Sequence, residues 1–487
     1  MIIERGYLVD YTLDQWLSLM CRRFDFEAPR INRLRSYTNG NAPMPEMGPN
    51  LRESWIKFQR RSRINMGNLI VDALTARIIP KGVTVDGSST SEVARQVERI
   101  WRDNRLDVAV PDAVADSFTS GRGFLLVTAG DDGRAVVTRE APETFLADPD
   151  PVRPWRARSA LKMWRDWDAG QDFADLYVPG MVARFTRGSY TSKVDAHRPI
   201  TTAVGGWKIG GITPFQGDVP VVILENRNGL GEFETATDSI DRINWGILER
   251  LVTTAMQAFR QRAMKVSDVE GSAGIPEVDD DGNRIDYAEI FSPGPGALWE
   301  LPPGVEIWES QQADLNPMLL AVRDDMKFLS AETQTPVSML VPDGANQSAA
   351  GAEFAREGLT NKATDRIRRF RPALSVMLVK ALAVEGVHDP ATIEVAFEPP
   401  AMVSLSEKYA AAAAARQVGE ALETVQRNIL GYSPQQVAED KALRAQAALE
   451  LAAMSANQPP VGQAQAATAT PEPDGEKVKA ESDVPAQ

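Results

Sequence analysis

One cysteine and two histidines stand among 487 residues. A lone thiol, Cys21, cannot close an internal disulfide, so the chain is expected to suit a reducing, intracellular setting. Cys21 lies on the apolar side of a helical pattern (SLMCRRF) and reads as a small buried hydrophobe rather than a nucleophile. His197 (DAHRP) and His388 (GVHDP) sit among turn residues, with no Cys or carboxylate at metal-ligand spacing, and read as surface-loop histidines. Also missing is any run of about 18 uncharged apolar residues that would cross a bilayer. The opening stretch, MIIERGYLVDYTLDQW, places charge where a signal peptide needs an apolar centre, so neither secretion nor membrane insertion is expected. The glycine clusters at Gly121 and Gly123 and at Gly205, Gly206, Gly210 and Gly211 lack the Lys-Ser/Thr ending of a phosphate cradle and read as turns. The acidic run VDDDGNR lacks the ligand spacing and terminal Glu of a calcium loop and reads as a solvated hairpin tip. No cofactor or metal is expected, and an assembly protein is favoured over an enzyme.

What is present is length and negative charge. At roughly 150 residues per domain the chain implies about three structural units. Lys plus Arg number 53 against 67 Asp plus Glu, a formal net charge of -14. Such a balance argues against a surface that grips nucleic acid, because that binding depends on cations neutralising phosphates.

Along the chain, helices are expected up to about Arg63, interrupted by the Gly/Pro-rich stretch Thr38 to Asn50, and from Leu51 to Ile79, where Pro80 and Gly82 stop the pattern. Further helices are expected at Ser91 to Asn104 and Pro111 to Ser120. Strands are expected at Phe124 to Thr128, Ala135 to Arg139, Asp175 to Tyr177, Val182 to Thr186, Trp207 to Ile209 and Val219 to Leu224. An apolar stripe from Ile240 to Phe259 then predicts a long helix from Thr237 to about Lys265. Ser267 to Gly304 is rich in Gly and Pro. After the strand-like VEIWES, Asn316 and Pro317 mark the start of a second helix that ends near Thr335 and Pro336. A turn segment follows, then a third helix from Ala349 to Glu385 that Pro372 should bend or split. Thr392 to Phe397 reads as extended, Ser406 to Leu430 and Pro434 to Met454 as Ala-rich helices, and Ser455 onward as a disordered tail. The fold class is α+β, mainly helical.

This order of parts resembles the portal protein of tailed bacteriophages. Tyr37-Thr38-Asn39-Gly40 is similar to the family's Tyr-x-x-Gly, and Asn65 to Asp72 (NMGNLIVD) to its Asn-x-x-x-x-Val-Asp helix. Ile100 to Asn104 followed by Ser120 to Phe124 (SGRGF) resembles the wing of portals from phages of actinobacteria. Pro220 to Asn228, Gly231-Glu232 and Asp241 to Asn244 resemble the entry to the first stem helix. Gln334-Thr335-Pro336 and Asn346 to Ala349 resemble the approach to and exit from the tunnel loop.

The resemblance implies a wing at residues 1–235, a first stem helix at 236–266, a clip at 267–304, a strand and second stem helix at 305–336, a tunnel loop at 337–348, a kinked wing helix at 349–386, a crown at 387–455 and a tail at 456–487. It also implies a virion protein, assembled in the host cytoplasm: a ring, usually of about twelve copies, at one capsid vertex. Double-stranded DNA would pass through it, driven by the terminase large subunit, with a head-tail adaptor and the major capsid and scaffolding proteins as further partners. Val341, Pro342, Asp343, Gly344, Ala345, Asn346, Gln347 and Ser348 would form the loop nearest DNA, whose neutral amides and small residues suit sliding contact. Asp279, Asp280, Asp281 and Trp299 would be clip or partner contacts. Arg260, Arg262 and Lys265 would close the first stem helix, complementing its dipole and lining the channel near the clip. The other basic cluster, Arg366, Arg368, Arg369 and Arg371, surrounds its helix and reads as solvated or ion-pairing between subunits rather than DNA-binding. The competing readings are another capsid-associated adaptor or scaffold, and an enzyme whose catalytic carboxylates are dispersed in sequence.

Overall fold

Thr12 opens the first helix, α1 (Leu13–Thr38), with a capping box in which its hydroxyl accepts from the Gln15 backbone and the Gln15 side chain accepts from the Thr12 N–H. The computed structural model describes residues 11–44, 52–86, 91–166, 168–188, 206–258, 262–266, 278, 281–282, 284, 305–309, 313–341, 349–388, 392–401 and 403–456. Two compact units are present, Met1–Val437 and Ala438–Gln487.

The two halves of α1 serve different layers. Trp16, Leu17, Met20, Cys21 and Phe24 pack on one face of a five-stranded antiparallel sheet, against Leu161, Met163, Leu176 and Phe185. That sheet has the order β4-β5-β6-β7-β8, from β4 (Phe145–Pro149), β5 (Ala157–Asp166), β6 (Gln171–Val178), β7 (Met181–Gly188) and β8 (Lys208–Pro214). Its opposite face buries Phe145, Ala160 and Tyr177 against Phe124, Val221 and Ile223 of a three-stranded sheet. The latter is ordered β3-β2-β9, with β2 (Arg122–Ala129), β3 (Ala135–Glu140) and β9 (Val221–Glu225). The far half of α1, with Leu34 and Tyr37, joins the main core.

After α2 (Arg52–Ser62), none of whose described side chains enters it, helices fill that core: α3 (Met66–Thr75), α4 (Glu92–Asp103), α5 (Leu106–Ser120), α6 (Thr237–Ala258), α7 (Asn316–Thr333), the single turn α8 (Val337–Leu340) and α9 (Ala349–Val384). Ser91 caps α4 by accepting from the Ala94 N–H. On α9, Leu359, Ala363, Ile367, Phe370, Leu374, Leu378 and Leu382 are buried at steps of three and four, and Phe370 meets Phe118 of α5 with ring centroids 5.7 Å apart. Then come β12 (Ile393–Phe397), α10 (Leu405–Val418), α11 (Leu422–Val425), a π-turn at Gln426–Leu430, and α12 (Pro434–Ala456).

Several expectations need correction. The helical pattern from Leu51 to Ile79 is two helices, because Asn65 stops the run and caps α3 by accepting from the Asn68 N–H. Pro80 and Gly82 do not merely end a helix. They open strand β1 (Pro80–Val85), which pairs antiparallel with β12 through a register shift between those two residues. The strand at the start of the expected crown therefore belongs to the body, with Ile393 and Val395 in the main core. Helix α5 begins at Leu106 and contains Pro111. Strands β4 and β5 fall where none was expected. Asn316 is the first residue of α7, and Asp314, not Asn316, supplies the side-chain acceptor, to the Asn316 N–H. Pro372 does not split α9, whose buried face runs uninterrupted past it. Gly419, at φ 99°, ends α10 and breaks the expected helix from Ser406 to Leu430.

The largest correction concerns the first stem helix. Its helix ends at Ala258, and Arg262–Val266 is a strand, β10, paired antiparallel with β11 (Val305–Glu309) so that Met264 faces Ile307 and Val266 faces Val305. Arg262 and Lys265 thus lie on a hairpin strand. The helix-dipole argument does not apply to them.

Candidate functional site

The chain leaves β9 and enters α6 through a turn that requires glycine. A Cβ on Gly231 would sit 2.3 Å from the Thr119 carbonyl oxygen, and one on Gly121 only 2.0 Å from that of Gly229. Two backbones touch here, held by hydrogen bonds from the Asn226 N–H to the Gly121 carbonyl (2.9 Å) and from the Glu232 N–H to the Phe118 carbonyl (2.7 Å). The SGRG and NGLGE segments are therefore two sides of one close contact. Gly121 also needs its freedom for φ 91°.

Glu232 follows immediately, with a side chain 2% exposed. Its carboxylate takes Lys362 Nζ at 2.7 Å and Arg366 Nε at 2.6 Å, both from α9. Lys362 also donates to the Thr333 carbonyl, 2.7 Å away, where α7 ends. Arg366 completes its pairing with Asp365. Burial alone would raise the Glu232 pKa; Lys362 and Arg366 together outweigh it and hold the group below the ordinary carboxylate range. One buried ion cluster therefore ties the entry of α6, the exit of α7 and the middle of α9.

A second set of contacts fixes the next turn of α6. The Tyr37 hydroxyl reaches both carboxylate oxygens of Asp241 at 2.8 Å, and burial with this bond pushes the Tyr37 pKa up to about 12. Asn244 Oδ1 accepts from the Ile64 N–H at 2.9 Å, while Asn65 donates to the Thr38 carbonyl at 2.7 Å. Gly67 lets α3 lie against Tyr37, for a Cβ there would be 3.0 Å from the Tyr37 carbonyl oxygen. Arg30 grips Glu234 with two nitrogens, at 2.6 and 2.5 Å, and spans to the Gly229 and Ser120 carbonyls. The short motifs scattered through the sequence, Tyr37, Asn65, Gly121, Glu232, Asp241 and Asn244, converge on this junction.

From it, α6 and α7 run antiparallel, as the pairs Ser239 with Glu332 (2.9 Å) and Gln257 with the Ala313 carbonyl (3.3 Å) establish. They approach closely at Gly246, where a Cβ would lie 2.9 Å from Val322, and Arg242 bonds Asp325 at 2.8 Å. Ile243, Ile247, Val322 and Leu329 are buried, whereas Leu320 and Phe328 are 60% and 61% exposed on the outer side of α7, beside Asp324 and Lys327. Leu320 and Phe328 thus stand uncovered on that side of α7 in the single chain.

The residues singled out in the sequence fall in three places. Val341 is half-buried against the main core and donates its N–H to the Val337 carbonyl at 2.7 Å, so it anchors the root of the loop rather than its tip. Met339, the α3 cap Asn65 and the α3 residues Asn68 and Asp72 line a shallow depression of about 570 Å³. Pro342, Asp343, Gly344, Ala345, Asn346, Gln347 and Ser348 lie outside the described residues, as do Asp279, Asp280, Trp299 and Arg260. Asp281 and Gly282 (φ 80°) are exposed in a turn closed by an antiparallel bridge between Val278 and Arg284, in keeping with a hairpin tip. Arg366, Arg369 and Arg371 ion-pair within the chain, with Glu232, Asp365 and Glu394, and Arg366 is buried, which corrects the expectation of a solvated or inter-subunit role for that cluster. Sequence reasoning missed Lys362: a lone Lys on a helix carries no signal of burial. The isolated position of Glu232 at a Gly-Glu turn, just before an apolar helix, was the available clue.

A family model described as phage portal protein, SPP1 Gp6-like, matches residues 22–440. No curated protein matches the chain. Among solved structures, a chain from the virion of a native gene transfer agent particle aligns at 14% identity and TM-score 0.43, covering 82% of this chain and 99% of that one. A chain from the neck of an empty particle of the same kind aligns at 15% identity and TM-score 0.43, covering 82% and 98%. One from the neck of the native particle, computed with C12 symmetry, aligns at 14% identity and TM-score 0.41, covering 81% and 98%.

Proposed function

This chain belongs to the SPP1 Gp6-like phage portal protein family, and we propose that about twelve copies form its ring, with α6 and α7 as the stem around a central channel. The observation that supports this reading is the uncovered side of α7. Leu320 and Phe328 are large, apolar and exposed beside a charged pair, Asp324 and Lys327, which suits lateral packing against the stem of the next copy. Burying each such side chain contributes about 1.5–3 kcal/mol, repeated at every contact around the ring.

In this reading the ring sits at a capsid vertex of the virion, and the chain's task is mechanical. The terminase large subunit supplies nucleotide hydrolysis, and double-stranded DNA moves through the channel. The segment from Pro342 to Ser348, rooted by Val341, approaches DNA with neutral amides that slide and do not grip. The net charge of -14 per copy keeps phosphates from settling on the walls. The hairpin that carries β10 and β11 leads to the clip, where Asp279, Asp280, Asp281 and Trp299 meet terminase and then the head-tail adaptor. Arg260, Arg262 and Lys265 lie near the channel at the clip's base. The major capsid and scaffolding proteins are the partners outside the ring. Electron microscopy of the purified chain tests the reading: rings with a hole wide enough for duplex DNA support it, and monomers or dimers contradict it.

A further inference from the structure

Helix α12 (Pro434–Ala456) is apolar on two opposite sides. Steps of four and three place Ala438, Ala442, Ala445, Leu449 and Ala452 along one line. Leu443, Ala447, Leu451 and Met454 form another, half a turn away at 3.6 residues per turn. All four large side chains are between 65% and 73% exposed: Leu443 65%, Leu449 72%, Leu451 68% and Met454 73%. Glu439, Gln446 and Glu450 separate the lines on one flank, Lys441 and Arg444 on the other. A helix covered once by a body needs one stripe. Two opposed stripes need two partners, one on each side.

We infer that α12 is a stave in a closed barrel of identical helices, the Leu443 line of one copy seated on the alanine-rich line of the next. The inference rests on the ring reading above. In a ring each copy meets one neighbour on the left and one on the right through different surfaces, which is a heterologous contact, and it buries both lines with the same sequence. The fit is complementary in shape, because large side chains on one line meet small ones on the other. It is complementary in charge too. Asp440 stands at the head of the Leu443 line, three residues before Leu443, and Lys441 borders the alanine-rich line, so seating one on the other brings the Asp440 carboxylate of one copy toward the Lys441 ammonium of the next. Arg444, which holds Asp440 at 2.8 Å within the copy, adds a second cation to that seam.

The test uses the full chain with cysteines placed on the two lines, the native Cys21 being buried. Ala447→Cys alone and Leu449→Cys alone should stay monomeric on a denaturing gel after copper-phenanthroline oxidation. The double variant should give a ladder of linked chains rising to the ring's copy number. A mixture of the two single variants, assembled together, should give linked dimers. Dimers from either single variant alone would overturn the heterologous contact in favour of like faces meeting. No linked product from the double variant, in preparations where microscopy shows intact rings, would overturn the barrel while leaving the ring reading standing. Absence of rings altogether would overturn that reading, and this inference with it.

Discussion

Lys362 Nζ lies 2.7 Å from Glu232 and 2.7 Å from the Thr333 carbonyl oxygen, so one ammonium on the long helix joins the entry of α6 to the end of α7. Both charged side chains are almost entirely buried, 2% and 8% exposed. Removing one partner leaves the other charge without compensation in a medium that solvates it poorly. Glu232→Gln should therefore cost about 3–5 kcal/mol. Lys362→Met in the same chain should recover part of that loss, because it removes the buried ammonium that Glu232→Gln leaves uncompensated. Urea unfolding of the single and double variants measures both effects. Losses that simply add would show that the two side chains act independently.

The same carboxylate makes the junction acid-sensitive. Its folded pKa is depressed, so its contribution is fully present above the ordinary carboxylate range, near 4.5, and is lost as pH falls through the lower folded value. Unfolding midpoints followed downward from about pH 6 should fall more steeply in the native chain than in Glu232→Gln. Parallel slopes would remove Glu232 from the acid response.

Glycine at the entry to α6 should be irreplaceable where the two backbones touch. At Gly121 an alanine meets both a φ of 91° and a carbonyl oxygen 2.0 Å from its Cβ. At Gly133 the φ is 75° but nothing lies within 4 Å. Gly133→Ala should cost about 1 kcal/mol from conformation alone. Gly121→Ala should cost well over 3 kcal/mol or abolish soluble expression, since the backbone itself must move. Equal midpoints for the two variants would refute the close contact.

A sliding loop should tolerate little positive charge. Asn346→Arg or Gln347→Arg should slow DNA packaging, because each added cation creates a phosphate contact that must be broken during movement. The measurement is the rate of DNA protected inside capsids. An unchanged rate would place the segment away from the channel.

How far the sequence carries differs from element to element. Helices with one apolar stripe, such as α4 and the long α9, were legible because periodicity is local. Strand β10 was not, since Arg262–Val266 continues a helical stretch and becomes a strand only by pairing with Val305–Glu309, some forty residues later in the chain. Strands β1 and β12 are still farther apart, and their pairing moved the start of the expected crown into the body. At the junction, the Gly-Glu, Tyr-x-x-Gly and Asp-Arg-Ile-Asn segments could be noticed singly. That Tyr37 meets Asp241, or that Glu232 is answered by Lys362 and Arg366, is a product of tertiary packing and leaves no mark in spacing.

The stem contact between copies is tested most directly by imaging the purified chain beside a Leu320→Asp, Phe328→Asp variant in the electron microscope. The account predicts rings with an open centre for the native chain and single subunits, folded and with unchanged circular dichroism, for the variant. Native chains that stay monomeric, or variant chains that form rings as readily as the native protein, would contradict it.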